Sequence, residues 1–147
     1  MAYVEMARAY VEKLLMEVLK TDSLKVDSDG DVPIRHGSSV AYVRVTQSGN
    51  TTRVRVFAEV LRGVEGSPEL YEKLNEINGG ILGARIYHRH GIVTLSAELL
   101  PENLQVEELR FAVDCVTTLA DDLDDDLHGL FGGEKAVDDD HDRAVEI

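Results

Sequence analysis

The sequence has few of the residues that most directly mark a site or a compartment. Its 147 residues include one cysteine, Cys115, so no disulfide can form within the chain. No apolar run approaches the roughly 20 residues that a membrane-spanning helix needs. The first ten residues also lack the basic-then-apolar pattern of a secretion signal. We therefore expect a reducing, cytoplasmic location, no membrane contact, and a Cys115 that acts as a small buried residue on a helix.

The motifs of common active sites are also missing. The sequence contains no phosphate-binding loop, no Gly-rich dinucleotide turn, no G-x-S-x-G and no metalloprotease motif. We therefore expect a protein that is not an enzyme and that needs no cofactor. One alternative is a metal enzyme, because His88 and His90 lie two residues apart and would point the same way on a strand. No third ligand can be placed beside them, so polar residues at a hairpin end are the preferred interpretation.

Negative charge is unevenly distributed along the chain, whose formal net charge is −13. Residues 121–147 hold 11 acids and 2 bases, and the remainder is only mildly acidic. Because phosphate binding depends on clustered lysines and arginines, we exclude non-specific nucleic-acid binding. Residues 134–147 have almost no apolar period and predict a disordered acidic tail, after a single domain of residues 1–133.

The stretch DSDGDVPI has the spacing of acids that suggests a calcium loop. Asp27, Asp29 and Asp31 would fill positions 1, 3 and 5 of such a loop. The glycine of position 6 and the glutamate of position 12 are absent, since Val32 and Ser38 stand there. Asp and Gly are also the residues that tight turns prefer, so the stretch predicts a turn rather than a metal site.

Apolar periodicity predicts an α+β fold. Steps of three and four residues indicate a helix over residues 3–19 with Tyr3, Met6, Tyr10, Leu14 and Val18 along one face. A second helix follows the Ser67–Pro68 start and ends at Gly79–Gly80, and a long last helix opens at Pro101 and stops at Gly132–Gly133. Alternating stretches between the helices predict strands. The expected order is α-βββ-α-ββ-α, an antiparallel sheet of about five strands with helices on one face.

The sheet face opposite the valines is the strongest candidate for a site. It is predicted to collect five arginines and three aromatic residues: Tyr42, Arg44, Arg53, Arg55, Phe57, Arg85, Tyr87 and Arg89. Tyr and Arg are enriched at interface hot spots, and Arg pairs with carboxylates or stacks on rings. The plain alternative is a solvated face that is balanced by cross-strand acids such as Glu59 and Glu98.

Several stretches resemble one family. They are VDSDGDVPIRHGSSVAYVRV, VRVFAEVLRGVEGSPELYEKLNEIN, ARIYHRHGIVTLSAELLP and LHGLFGG, with LNEIN (74–78) and FGG (131–133) as the most specific pieces. Over residues 3–133 the chain resembles the YbjN-like proteins of actinobacteria, which are similar in fold to class I type III secretion chaperones. The resemblance implies a small, acidic, dimeric α+β protein that binds a peptide or protein segment and has no catalytic motif. The arginines depart from a purely apolar client groove.

Two functions follow as hypotheses from the residues and the resemblance. The first is a cytoplasmic, homodimeric binding module, chaperone- or adaptor-like, that holds a client segment by strand addition or pocket filling. The alternative is a regulator that senses a small anion or a nucleotide with the same arginines. Whether the dimer uses the sheet or the last helix stays open. The acidic tail is a candidate to cover the arginines when no client is bound.

Overall fold

A computed structural model of the chain describes residues 3–135 and 145–146. Three helices and seven strands lie in this part of the chain. In chain order they are α1 (Tyr3–Leu19), β1 (Val32–His36), β2 (Ser39–Ser48), β3 (Thr51–Arg62), α2 (Pro68–Gly80), β4 (Arg85–Arg89), β5 (Ile92–Leu99), α3 (Val106–Phe131), β6 (Glu134–Lys135) and β7 (Val145–Glu146).

The five longer strands form one antiparallel sheet in the order β4-β5-β3-β2-β1. Tight hairpins connect β2 to β3 and β4 to β5, so the two strands of each hairpin are neighbours in the sheet. The second hairpin turns at His90 and Gly91, both of which have positive φ. Two short strands add to this sheet: β6 pairs with the end of β3, and β7 pairs in parallel with β1. The predicted fold class is confirmed.

The core lies between one face of the sheet and the helices. Val54, Val56 and Ala58 of β3 are fully buried there, because α1 and α3 cover the valine face. From α3, Leu109 and Val113 are likewise fully buried. Among the described residues, no helix combines the length and the apolar character that crossing a bilayer requires.

The buried face of the first helix is shifted from the one that its sequence pattern indicated. Ala7, Val11 and Leu15 are buried, and so is Leu14 of the predicted stripe, whereas Tyr3 and Met6 of that stripe are exposed. The helix carries two adjacent apolar stripes, and the one with the smaller residues packs on the core. Tyr3 lies at the surface, where its hydroxyl donates a hydrogen bond to a glutamate oxygen. The polar end of the tyrosine ring thus has a hydrogen-bond partner.

The second helix begins and ends where its sequence signals indicated. Ser67 accepts a hydrogen bond from the backbone N–H of Leu70 at 3.1 Å, and Pro68 occupies the first turn. The last helix begins later than predicted, at Val106 rather than at Pro101. Residues 101–105 instead form a turn that ends in a capping interaction, in which Glu108 accepts from the N–H of Gln105 at 3.0 Å.

Four residues of the segment predicted to be disordered lie in strands. Glu134–Lys135 pair with Leu61 and Arg62, and Val145–Glu146 pair with Ile34 and Arg35. Backbone hydrogen bonds at a sheet edge do not require apolar periodicity, so the sequence pattern could not indicate them. The remaining residues of the predicted tail, 136–144 and 147, lie outside the described part of the chain. The domain boundary at residue 133 stays a prediction.

Candidate functional site

All eight residues predicted for the site lie on the sheet face that α1 and α3 leave open. The strand register places Tyr42 opposite Phe57, Phe57 opposite Ser96, and Ser96 opposite Arg85. Arg44 and Arg55 form the next row. We call this surface the arginine face; it consists of Tyr42, Arg44, Arg53, Arg55, Phe57, Arg85, Tyr87 and Arg89.

Phe57 is the centre of the arginine face. Its ring stacks on that of Tyr42 with centroids 5.4 Å apart. The guanidinium carbons of Arg44 and Arg55 lie 4.8 and 4.5 Å from the Phe57 centroid, a cation–π geometry. With Val40, Tyr42 and Phe57 form a small buried cluster separate from the main core, and Phe57 is only 8% exposed. The arginines are thus held flat against an apolar centre.

Two carboxylates of the same chain pair with three of the arginines. Arg44 donates through Nε and Nη2 to the two carboxylate oxygens of Asp31, at 2.8 and 2.6 Å. This hydrogen bonding to Asp31 is the main reason that the pKa of Arg44 is raised. Arg53 and Arg85 share Glu98, at 3.2 and 3.5 Å.

The other two arginines of the face line one open cavity. Arg55 donates to the hydroxyl of Tyr87 at 2.6 Å and lies 3.4 Å from Ser96 Oγ. Arg89 is exposed and has no hydrogen-bond or ion-pair partner among residues 3–135. Both line a cavity of about 320 Å³ together with Phe57, Tyr87 and the paired Arg44. This cavity therefore presents cationic groups above aromatic rings.

The aspartates of DSDGDVPI form the predicted turn. Asp27 Oδ1 accepts hydrogen bonds from the N–H groups of Asp29 and Asp31, both at 2.9 Å. The turn leads from α1 to β1 and places Asp31, which is 2% exposed, under Arg44. Oxygens of the three carboxylates lie within 4.8 Å of one another. Asp31 is already paired with a cation of the chain, so its part is to hold Arg44 on the arginine face.

The two histidines do not point the same way. His88 lies on β4, with its Nε2 2.7 Å from the carbonyl oxygen of Val64 and its ring 5.9 Å from that of Tyr71. His90 lies beyond the end of the strand, has φ of 52°, and lines the cavity of the arginine face. The strand alternation on which the chelating pair depended ends at Arg89, so that geometric expectation is wrong.

A second exposed surface was not predicted from the sequence. An apolar groove of about 460 Å³ lies between the end of α2 and α3, and Leu82, Phe111, Cys115 and Leu119 are among the residues that line it. Leu82 is 82% exposed and Phe111 is 57% exposed. The only sequence signal for this groove is that the apolar residue Phe111 lies off the buried stripe of α3. We call this surface the helix groove.

Cys115 is half-buried in the wall of the helix groove. It is on a helix, as predicted, but is less enclosed than a core residue. Burial, together with the neighbouring carboxylate of Asp114, raises the pKa of its thiol. A raised pKa leaves less thiolate at neutral pH, which is the opposite of what a nucleophilic cysteine needs.

A family model covers most of the chain. The model TY-Chap1, described as T3SS (YopN, CesT) and YbjN peptide-binding chaperone 1, matches residues 5–139. The chain belongs to this family. The predicted resemblance to YbjN-like proteins and secretion chaperones is therefore confirmed for a TY-Chap1 protein, whereas the actinobacterial origin stays a prediction. No curated protein shows significant sequence similarity to the chain.

Three solved structures with a similar fold are protein complexes, and two of them are described as chaperone complexes. A chain of the ExsC–ExsE complex aligns with a TM-score of 0.61 at 15% identity, covering 85% of this chain and 96% of that chain. The Yersinia pestis type III secretion chaperone SycH, in complex with a fragment of YscM2, aligns at 0.55 and 14% identity, covering 78% and 96%. The HopA1–SchA chaperone–effector complex gives 0.55 and 16% identity, covering 82% and 97%. These TM-scores show that the TY-Chap1 chain shares the fold of these proteins, and at such low identity they show the fold alone.

Proposed function

We propose that this TY-Chap1 protein is a non-catalytic, chaperone-like module that holds an extended segment of a client protein on its arginine face. The family description names peptide binding. Two of the neighbours are described as chaperones in complex with another protein. The comparisons give no support to the alternative, a sensor of a small anion or nucleotide.

The observation that carries the proposal is the difference between the two faces of the sheet. The valine face is buried under helices, whereas the opposite face, which α1 and α3 leave open, has an ordered layer of rings and guanidinium groups. Aromatic and arginine side chains lose little conformational freedom when they are already packed, so binding costs less. Such a layer therefore has the composition and the preorganisation of an interface.

The edges of the sheet indicate where a client strand could be added. The outer edge of β4 is occupied at Ile86, whose backbone N–H and C=O both bind the side chain of Asn78. Within the described residues, the outer edge of β1 pairs with β7 over Ile34 and Arg35. A client strand added at β1 would replace this two-residue pairing with β7, whereas one added at β4 would have to displace Asn78.

The proposal includes a homodimer that forms through the helix groove, in the cytoplasm as the single cysteine suggests. Leu82 projects beside the groove, so a two-fold arrangement would let the Leu82 of each copy enter the groove of the other. A twofold interface requires such self-complementarity. Exposed apolar surface of this kind also favours association over solvation. This arrangement leaves the arginine face open for the client.

The test is affinity capture from the host lysate, followed by mapping of the bound segment. Wild type is compared with an Arg55→Glu, Tyr87→Ala variant, and an Arg110→Glu, Tyr3→Ala variant of exposed helix residues is the control. We expect the wild type and the control to retain one or a few proteins, each with a short segment protected from protease. A client retained equally by the Arg55→Glu, Tyr87→Ala variant would contradict the proposed site.

A further inference from the structure

The charges of the arginine face are not equally available to a client. Arg44 is bound bidentately by Asp31, whose side chain is 3% exposed. Arg53 and Arg85 are both within ion-pair distance of Glu98. A client carboxylate at Arg44 would have to displace Asp31, and one at Arg53 or Arg85 would compete with Glu98, so each of these three arginines attracts it less than an arginine with no carboxylate partner.

Arg55 and Arg89 are the two arginines of the face without a carboxylate partner among residues 3–135. The hydrogen-bond partners of Arg55 are the hydroxyls of Tyr87 and Ser96, which are neutral. Arg89 has no partner in that part of the chain. Both line the cavity of about 320 Å³. Its acidic lining residue, Glu59, accepts from Arg62 at 2.6 Å and is therefore compensated.

The cavity also offers apolar contacts beside these cations. Phe57 and Tyr87 supply rings, and Ile92 supplies an aliphatic side chain. In an extended peptide, residues two apart project on the same side. One such residue could place a carboxylate between Arg55 and Arg89 while the next packs on Ile92. Charge-assisted pairing of guanidinium with carboxylate is the strong contact in this arrangement.

Resting on the proposed function, we propose that the client segment of this protein is acidic and apolar. It carries an Asp or Glu that pairs with Arg55 and Arg89, and an apolar or aromatic residue two positions away. The net charge of −13 opposes an acidic segment only weakly. At about 0.1 M salt, charges more than about 10 Å apart are largely screened, so the local charge of the cavity decides.

The experiment is selection from a random twelve-residue peptide library on phage against the purified full chain. One selected peptide is then synthesised with a fluorescent label, in its original form and with each acid changed to the amide. Affinity is measured for wild type, Arg89→Gln and Arg110→Gln. Arg110 is the matched control, because it is an exposed arginine on α3 with no partner in the described part of the chain.

We expect the selected peptides to be enriched in acids beside apolar residues. Arg89→Gln should weaken binding by at least about tenfold, the usual loss for a charge-assisted contact. The amide peptide should show a similar loss, and Arg110→Gln should bind as wild type does. Acidic peptides that bind Arg89→Gln unchanged would overturn the inference. Selected peptides without acids would overturn it and leave the proposed function standing, whereas no selected peptide at all would count against both.

Discussion

The side-chain amide of Asn78 binds both backbone groups of Ile86. The N–H of Ile86 donates to Asn78 Oδ1, and Asn78 Nδ2 donates to the Ile86 carbonyl oxygen, both at 2.8 Å. The amide thus imitates a neighbouring strand at the outer edge of β4. Asn78 is the last residue of LNEIN, one of the two stretches that resemble the family most specifically, and its side chain ties α2 to the sheet.

Replacing Asn78 with alanine should destabilise the fold. Two hydrogen bonds are lost and the edge of β4 is exposed, so we expect a loss of about 1–3 kcal/mol in the free energy of unfolding. Urea unfolding followed by circular dichroism measures it. Asn75→Ala is the control, because Asn75 is an exposed residue on the same helix. Equal stability of the two variants would show that the contact with Ile86 contributes nothing.

The sequence was sufficient to predict which residues share a face of the sheet, but not which residues distant in the chain contact one another. Period-two alternation placed Arg55 and Phe57 on one face because strand geometry leaves no other choice. The pairing of Arg44 with Asp31 depends on where the turn after α1 folds back, which no local pattern states. In α1, Met6 and Ala7 belong to two adjacent apolar stripes, and only packing against the sheet decides which is buried more deeply.

Asp121 should make the stability depend on pH. The backbone N–H of Ser38 donates to Asp121 Oδ1 at 2.9 Å, and the Ser38 hydroxyl lies 3.0 Å from the same oxygen. These contacts, the backbone one first, lower the pKa of Asp121. A group with a lowered folded pKa stabilises the fold above its unfolded pKa of about 3.9, and loses that contribution as the pH falls through the folded value.

We therefore expect Asp121→Asn to be less stable than wild type at pH 7, and the difference to shrink below about pH 4. Urea midpoints at a series of pH values between 3 and 7 would measure this. Asp122→Asn, a change at an exposed neighbour, is the control and should show no such dependence. A difference that stays constant over the whole series would rule out the ionised carboxylate as its cause.

The helix groove should determine the oligomeric state. Leu82→Glu places a charge on the side chain that, in our proposal, enters the groove of the second copy. Light scattering after size exclusion should then report the mass of one chain instead of two. The fold should be unaffected, because Leu82 is 82% exposed.

For Arg55→Glu we expect the opposite result, a dimer that stays intact. It changes the arginine face and should leave the mass at two chains. If Arg55→Glu produced the monomer and Leu82→Glu did not, the dimer would use the sheet. The arginine face would then be buried between copies, and the client would have to bind elsewhere.

Removing residues 134–147 should increase the affinity for the client. The truncation uncovers the edge of β1 at Ile34 and Arg35, where β7 pairs. It also removes six acids and two bases, which lessens the repulsion of an acidic segment. Affinity for one selected peptide is compared among the full chain, the truncation, and a full-length variant with Asp138, Asp139, Asp140 and Asp142 changed to asparagine. A gain in both variants would indicate charge, a gain in the truncation alone would indicate the strand edge, and unchanged affinity in both would exclude an inhibitory tail.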